Sequence, residues 1–198
     1  MRKFSCVQGC SDCCIYRQHY PSPEYGKIGV LLLPEEKATI ERLAKKLGIN
    51  VKILPRLAIG REFPEKVIAY QLMGKNPDGD LCPFLDVEGN EKSPHGGYNC
   101  KIYSERPLAC RAYPVIDVSK SARLDDHCQF CKKFSTSNVA KDGIQKEIEA
   151  LAKIQASVTV RNGDDGNNNS SSDNSSNVWR YATATGAPNG NAIMLPEG

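Results

Sequence analysis

The chain contains 198 residues, of which 40% are hydrophobic and 25% are charged, values typical of a soluble protein with a single domain. No apolar stretch follows the basic residues Arg2 and Lys3, and the longest apolar run, residues 29–33, is too short to cross a membrane. We therefore expect neither a secretory signal nor a membrane span, and a cytoplasmic location. The net charge of +3 does not by itself indicate a nucleic-acid partner.

The first half of the chain contains a block of cysteines, and a helix and short strands are predicted to follow it. Cysteines cluster in residues 6–14, and a proline-rich passage leads to a helix that begins at Pro34 and ends before Gly48. Proline and acidic residues favour a helix start and glycine a helix end, and the apolar residues between them share one face. Residues 51–54 and 67–73 predict short strands, and residues 76–79 predict a turn.

The second half of the chain contains two further cysteine blocks and a polar tail, and a last helix is predicted between them. The block from Cys100 to Cys110 contains a short helix predicted over residues 104–111, and Cys128 and Cys131 form the third block. An amphipathic helix is predicted over about residues 137–156. Residues 162–177 are almost wholly Asn, Ser, Gly and Asp, a composition that cannot bury enough apolar surface to offset the entropy of ordering.

The predicted fold class is α+β, a small, irregular, cysteine-rich and metal-stabilised domain over residues 1–156 with an amphipathic C-terminal helix. Residues 157–198 are predicted to form a disordered, low-complexity tail. Within that tail, residues 178–181 and 193–195 are the apolar spots, and either could be a short docking segment.

The cysteines carry the functional signal. Nine cysteines in a reducing compartment are more often metal ligands or catalytic groups than disulfides, and an odd count argues against complete pairing. The first block places Cys6, Cys10, Cys13 and Cys14 within nine polar, turn-rich residues, a setting unlike that of cysteines that pack a core. Because successive side chains of extended backbone point in opposite directions, Cys13 and Cys14 are expected to reach different partners. Either the two cysteines bind two neighbouring metal centres, or one of them is a ligand and the other lies next to the same centre without binding the metal.

The later cysteines supply enough thiols for two four-thiolate centres, with Cys131 as the spare. Iron–sulfur clusters commonly take ligands from separated blocks, whereas structural zinc sites usually use paired knuckles with two residues between the cysteines. Because few pairs here have that spacing, we expect an iron–sulfur cluster of the [4Fe-4S] type, with zinc as the alternative. His127 could replace a thiolate, although a lone histidine in a loop is usually solvated. The predicted metal ligands are Cys6, Cys10, Cys13, Cys14, Cys82, Cys100, Cys110 and Cys128.

The charge distribution is compatible with two such centres. Residues 157–198 hold two arginines against three aspartates and one glutamate, a net of −2, which leaves +5 on the first 156 residues. A tetrathiolate zinc site or an oxidised [4Fe-4S] cluster carries about −2, so two of them would bring the domain to about +1. Nucleic acid is therefore not expected as a partner.

Three segments together resemble a known family. They are CVQGCSDCC at residues 6–14, CPFL at 82–85 and CKIYSERPLACRAYP at 100–114. The chain is similar over about residues 4–130 to the CxxCxxCC family of zinc- or iron-chelating proteins, although its first cysteine gap is three residues rather than two. The best-known relative in that family is flagellin lysine N-methylase. The resemblance implies metal chelation.

Two arginines flank Cys110 and are predicted to lie beside the centre. A guanidinium next to a cluster of charge about −2 can offset that charge and donate hydrogen bonds to its sulfurs, which tunes the reduction potential. Arg106 and Arg111 are the candidates for this role, and ordinary surface charges are the alternative.

Three functions remain open. An iron–sulfur protein for electron transfer, redox sensing or support of a protein or redox partner needs only the cysteines. A protein-lysine N-methylase-like enzyme would need a methyl-donor pocket, for which no glycine-rich strand-to-helix turn is present. A radical variant using Cys6, Cys10 and Cys13 would need a larger barrel than this domain can form. A structural zinc module could bind a protein or RNA. Whether the chain is an oxidoreductase, a methyltransferase or no enzyme stays open, and no catalytic residue can be named.

Overall fold

The computed structural model describes ten ranges of the chain, and all nine cysteines lie within them. Within these ranges, helices occur together with small antiparallel sheets, which confirms the predicted α+β class. None of the helices described is both long enough and apolar enough to cross a membrane. The described residues are 4–15, 21–22, 26–27, 29–60, 62–76, 80–118, 121–133, 141–158, 177–181 and 188–193.

A five-stranded antiparallel sheet follows a two-stranded ribbon made of β1 (Pro21–Ser22) and β2 (Gly26–Lys27). Three of its strands are β3 (Val30–Leu32), β4 (Ile53–Gly60) and β5 (Lys66–Leu72). The predicted strands are thus β4 and β5, and β4 continues to Gly60. The register of β4 against β5 shifts next to Pro55, because proline lacks the N–H that a strand ladder uses. The turn predicted at residues 76–79 lies largely outside the described residues.

Helix α2 (Pro34–Leu47) forms where the sequence predicts it. Its start is capped by Glu36, whose Oε2 accepts the backbone N–H of Leu33 at 2.9 Å. Its end is Gly48, with a φ of 66° that glycine adopts without strain. The apolar face of α2 is buried in the main core, whose members are Leu32, Ile40, Leu43, Ala44, Leu72, Phe84 and Ile102.

The cysteine-bearing segments form short elements joined by turns. These elements are α1 (Asp12–Ile15), β6 (Leu85–Asp86), β7 (Asn99–Cys100), α3 (Leu108–Ala112), β8 (Val115–Asp117), β9 (Arg123–Leu124) and α4 (Gln129–Lys133). Strand β6 pairs with β7, and β8 pairs with β9, each in antiparallel fashion. The helix predicted over residues 104–111 is two pieces, a 3-10 turn and α3, because Arg106 precedes Pro107 and is extended with a ψ of 142°.

The last helix, α5 (Gln145–Val158), packs against α3. It begins later than predicted, after a 3-10 turn at Lys141–Ile144, and residues 134–140 lie outside the described residues. Ala150 and Ile154 of α5 form a second buried cluster with Ala112 of α3. The cysteine-bearing segment around α3 is therefore held from outside by an amphipathic helix.

Two strands come from the region predicted to be a tail, β10 (Asn177–Tyr181) and β11 (Pro188–Ile193). Strand β10 pairs with β4, and the strand order of the sheet is β11-β10-β4-β5-β3. The apolar spot at residues 178–181 lies in β10, but the sequence does not predict strands there. The division at residue 156 and the disorder of the tail stay predictions, because most of residues 157–198 lie outside the described ranges.

The position of Ile40 on α2 gives a test of the core. We expect Ile40→Ala to lower the free energy of unfolding by about 2–5 kcal/mol, because a side chain only 1% exposed would leave a cavity. The exposed Lys45 lies on the same helix, and Lys45→Ala should change stability by less than about 0.5 kcal/mol. Chemical denaturation measures both, and equal losses would contradict the assigned core face.

Candidate metal centre

The N-terminal cysteine loop, residues 6–14, is fixed by hydrogen bonds to a second loop, residues 93–98. The backbone N–H of Gly9 donates to the carbonyl of His95 at 2.9 Å. The N–H of Tyr98 donates to the buried hydroxyl of Ser11, also at 2.9 Å. The first cysteines are thus positioned by backbone and hydroxyl contacts rather than by a packed apolar element.

Gly97 lies where these two loops approach most closely. A Cβ at this position would overlap the carbonyl oxygen of Cys10 and the hydroxyl of Ser11. Only glycine therefore allows the second loop to lie against the cysteine loop. The adjacent pair Gly96-Gly97 is the signal in the sequence that could have indicated this contact.

Cys13 and Cys14 lie in α1, so the expectation of an extended backbone there is wrong. The two thiols contact each other, because the thiol of Cys13 donates a hydrogen bond to Cys14. The carbonyl of Cys14 accepts the N–H of Cys82 at 2.7 Å, which brings a distant part of the chain to this helix. Leu81 supports this approach with a φ of 60°, a left-handed conformation that is uncommon for leucine.

Cys100 and Cys110 are positioned by elements that are tied to the main core. Cys100 ends β7, and Cys110 lies inside α3. The first residue of α3, Leu108, donates its N–H to Oε1 of Glu36 at 2.7 Å. One carboxylate therefore caps α2 and also fixes the start of the cysteine-bearing helix.

Cys128 immediately precedes α4, and two hydrogen bonds position this segment. The N–H of Asp125 donates to the carbonyl of Pro114 at 2.8 Å. The side-chain amide of Gln129 donates to the Asp12 carboxylate at 2.6 Å, which links α4 to α1. Cys128 is thereby held beside the first cysteine block, although more than a hundred residues separate the two segments.

Cysteines line two small cavities, a first cavity of about 60 Å³ and a second of about 80 Å³. The structure brings all eight predicted ligands to one or both of them, whereas Cys131 lines neither. A groove of about 720 Å³ beside Gly48 and Lys101 is larger and open, but no cysteine lines it. Cys6, Cys10 and Cys128 line only the first cavity, Cys82 and Cys110 line only the second, and Cys13, Cys14 and Cys100 line both.

The thiol sulfurs are spread around these cavities rather than gathered at one point. Among the described residues, which include every cysteine, no three cysteine sulfurs all lie within 4.8 Å of one another. The trio that does meet this distance is Asp125, Asp126 and His127.

Backbone N–H groups point at several of the sulfurs. The N–H of Asp12 donates to Cys10, the N–H of Ile102 donates to Cys100, and the N–H groups of Phe130 and Cys131 donate to Cys128. Donors of this kind favour the thiolate over the thiol and commonly surround sulfurs that bind metal.

The sequence model of the CxxCxxCC family, a zinc- or iron-chelating domain, matches residues 5–132, which contain all nine cysteines and nearly two thirds of the chain. The chain belongs to the CxxCxxCC family. Membership supports the chelation of zinc or iron by this CxxCxxCC domain. Comparisons with curated proteins and with solved structures found no match. The relation to flagellin lysine N-methylase is not shown and stays a prediction.

Most thiols of the CxxCxxCC domain have raised pKa values without metal. Burial, followed by the neighbouring thiols Cys10 and Cys128, raises the pKa of Cys6 to about 11. Burial also raises the pKa of Cys100, and the pKa of Cys13 is raised chiefly because its thiol donates to Cys14. These thiols hold their protons near neutral pH, so metal binding must release protons and strengthens as the pH rises.

Cys128 and Cys131 behave as a hydrogen-bonded pair. The thiol of Cys131 donates to the sulfur of Cys128, which lowers the pKa of Cys128 to about 6. The same bond, together with burial, raises the pKa of Cys131. Cys131 thus contacts a predicted ligand without itself lining either cavity.

Arg106 lies between the two cavities and lines both. Its guanidinium stacks on the ring of Tyr103 at 3.8 Å from the ring centre, and its Nε donates to the Tyr103 carbonyl at 3.0 Å. Its positive charge opposes the burial that raises the pKa of Cys6 and of Cys100. Arg111 is exposed and lines neither cavity, so its role beside the centre stays a prediction.

Two histidines line the first cavity. The Nδ1 of His127 lies 3.0 Å from a carboxylate oxygen of Asp125 and 3.0 Å from one of Asp126, so that nitrogen is engaged with acidic neighbours. His95 was not singled out by the sequence, and burial followed by the charge of Arg106 lowers its pKa. A neutral imidazole here adds no charge to the site.

Substitution of Gly97 tests the contact between the two loops. We expect Gly97→Ala to weaken metal binding about 10–100-fold, because the added Cβ must displace the Cys10 backbone. Competition with a chromophoric chelator measures the affinity. Pro94→Ala, at an exposed position of the same loop, is the matched control and should bind as the parent does. Equal affinities for Gly97→Ala and the parent would contradict the account of the loop contact.

Proposed function

We propose that this CxxCxxCC domain holds two iron–sulfur clusters, each on four thiolates, and serves in electron transfer or supports a protein redox partner. The observation that carries the proposal is the distribution of eight thiols over two adjacent cavities, with the sulfurs spread apart.

The spacing of the sulfurs supports a cluster over a single zinc ion. Thiolates suit both groups, so the ligand type does not discriminate between them. A tetrahedral zinc ion with bonds of about 2.3 Å holds its four sulfurs only about 3.8 Å apart. Thiolates of an iron–sulfur cluster bind different irons and therefore lie farther apart. Sulfurs of which no three lie within 4.8 Å of one another fit the wider arrangement.

The cavities also support a division of the thiols into two sets of four. Three cysteines line only the first cavity, so a set of four there needs one more thiol. Two line only the second cavity, so a set of four there needs two more. The three cysteines that line both cavities supply these three thiols. Cys14 is assigned to the second set because its carbonyl accepts the N–H of Cys82 at 2.7 Å. Cys13 then completes the first set. The sets are Cys6, Cys10, Cys13 and Cys128, and Cys14, Cys82, Cys100 and Cys110.

The chain's own residues supply what such centres require. A bound cluster contributes one-electron redox chemistry. The N–H groups that point at Cys10, Cys100 and Cys128 stabilise their thiolates. The guanidinium of Arg106 offsets negative charge at both cavities at once, and its stacking on Tyr103 restricts its movement.

Serine substitutions test the division. We expect Cys10→Ser or Cys110→Ser each to lose about half of the iron, because each removes a ligand from one set only. The double variant should lose nearly all of it. Iron and acid-labile sulfide per chain are measured after anaerobic purification.

Cys131→Ser is the matched control for these variants and should keep the full iron content, because Cys131 lines neither cavity. Complete loss of iron from every single ligand variant would contradict two separate centres.

Replacement of Arg106 tests the electrostatic role assigned to it. We expect Arg106→Gln to lower the reduction potential of the bound clusters by on the order of tens of millivolts, because a positive charge favours the reduced form. Arg111→Gln removes the same charge at an exposed position and should shift the potential less. Redox titration compares the two variants, and equal shifts would contradict the position of Arg106 between the centres.

A further inference from the structure

The eight-thiol assignment leaves Cys131 without a ligand role, yet its thiol contacts a ligand. We propose that Cys128 and Cys131 form a dithiol site that reacts with low-molecular-weight disulfides, and that the resulting protein disulfide withdraws Cys128 from metal. Formation of the disulfide is independent of the proposed function, and only its effect on metal rests on that function.

The local backbone places the two sulfurs together. Two residues separate the cysteines, with Cys128 just before α4 and Cys131 inside it. The N–H of Lys132 donates to the carbonyl of Cys128 at 2.8 Å, so the backbone between them turns as a helix does. Residues three apart on a helix have Cα atoms about 5 Å apart, within the range of about 4.4–6.8 Å that a disulfide spans. The hydrogen bond between the thiols shows that the side chains already face each other.

The two cysteines differ in their access to solvent. Cys131 is 6% exposed, whereas Cys128 is only half-buried and lines the first cavity. A small disulfide from solution can therefore reach Cys128 first. The N–H groups of Phe130 and Cys131 point at the Cys128 sulfur.

The reaction is thiol–disulfide exchange in two steps. The Cys128 thiolate attacks one sulfur of the external disulfide, forms a mixed disulfide and expels the other half as a thiolate. Cys131 then gives its proton to solvent, its thiolate attacks Cys128 Sγ, and the second half leaves. Two protein thiols and one external disulfide become one protein disulfide and two external thiols.

The disulfide and the metal compete for one atom. The sulfur of Cys128 cannot be a thiolate ligand while it is bonded to Cys131, so oxidation opens one position of the first set. The second set contains neither cysteine and keeps its four thiols. A bound metal, in turn, should protect Cys128 from the external disulfide.

Oxidised glutathione is the probe for this site. The reduced full-length chain, with and without bound metal, is treated with it, alkylated and mapped by mass spectrometry. We expect Cys128–Cys131 to be the main intramolecular disulfide in the metal-free chain and to be reversed by dithiothreitol. We also expect bound metal to slow its formation at least about tenfold, and metal release to follow disulfide formation in the loaded chain.

Two variants at Cys131 complete the test. In Cys131→Ser and in Cys131→Ala, the second chosen because a small apolar side chain suits a buried site, Cys128 should stop at the mixed disulfide with glutathione. Disulfides spread evenly over the other cysteines, or the same products from the parent and both variants, would overturn the proposal. A Cys128–Cys131 disulfide in a chain that takes up neither iron nor zinc would support the dithiol site and contradict the proposed function.

Discussion

The structure depends on bringing eight thiol sulfurs together from segments too short to bury a core of their own. Helix α1 (Asp12–Ile15), for example, has four residues and none of them is buried, so apolar burial cannot position it. Polar contacts between segments do this instead. The Ser11 hydroxyl, the Cys14 carbonyl and the Asp12 carboxylate each accept a hydrogen bond from a different distant segment. Thiolate–metal bonds joining the same segments would then supply much of the folding energy.

A second feature connects this irregular region to the conventional part of the fold. Glu36 accepts one backbone N–H with each carboxylate oxygen, from Leu33 at the start of α2 and from Leu108 at the start of α3. The side chain that stabilises the helix on the main core therefore also fixes the helix that carries Cys110. On its other side, α3 packs against Ala150 and Ile154 of α5. The sheet and the two long helices thus act as a support for the thiols.

The sequence predicted those parts that depend on local chemistry. Helix α2 follows from Pro34, its acidic first turn and Gly48. The eight ligands named from cysteines in polar settings stay a prediction, although all eight line the two cavities. The contacts between distant segments leave little local signal. Nothing in the neighbourhood of Leu81 predicts its left-handed backbone, and the approach of Gly97 to Cys10 depends on a loop more than eighty residues away. The strands at 177–181 and 188–193 were missed because pairing, of β10 with β4 and of β11 with β10, defines them rather than their composition.

The central claim is that the thiols hold iron–sulfur clusters rather than zinc. Anaerobic purification followed by analysis of iron, zinc and acid-labile sulfide tests it most directly, together with the visible absorbance of thiolate-to-iron charge transfer. We predict a brown protein with iron and sulfide in equal amounts, about eight of each per chain for two four-iron clusters. A colourless protein whose zinc survives exhaustive dialysis would contradict the account.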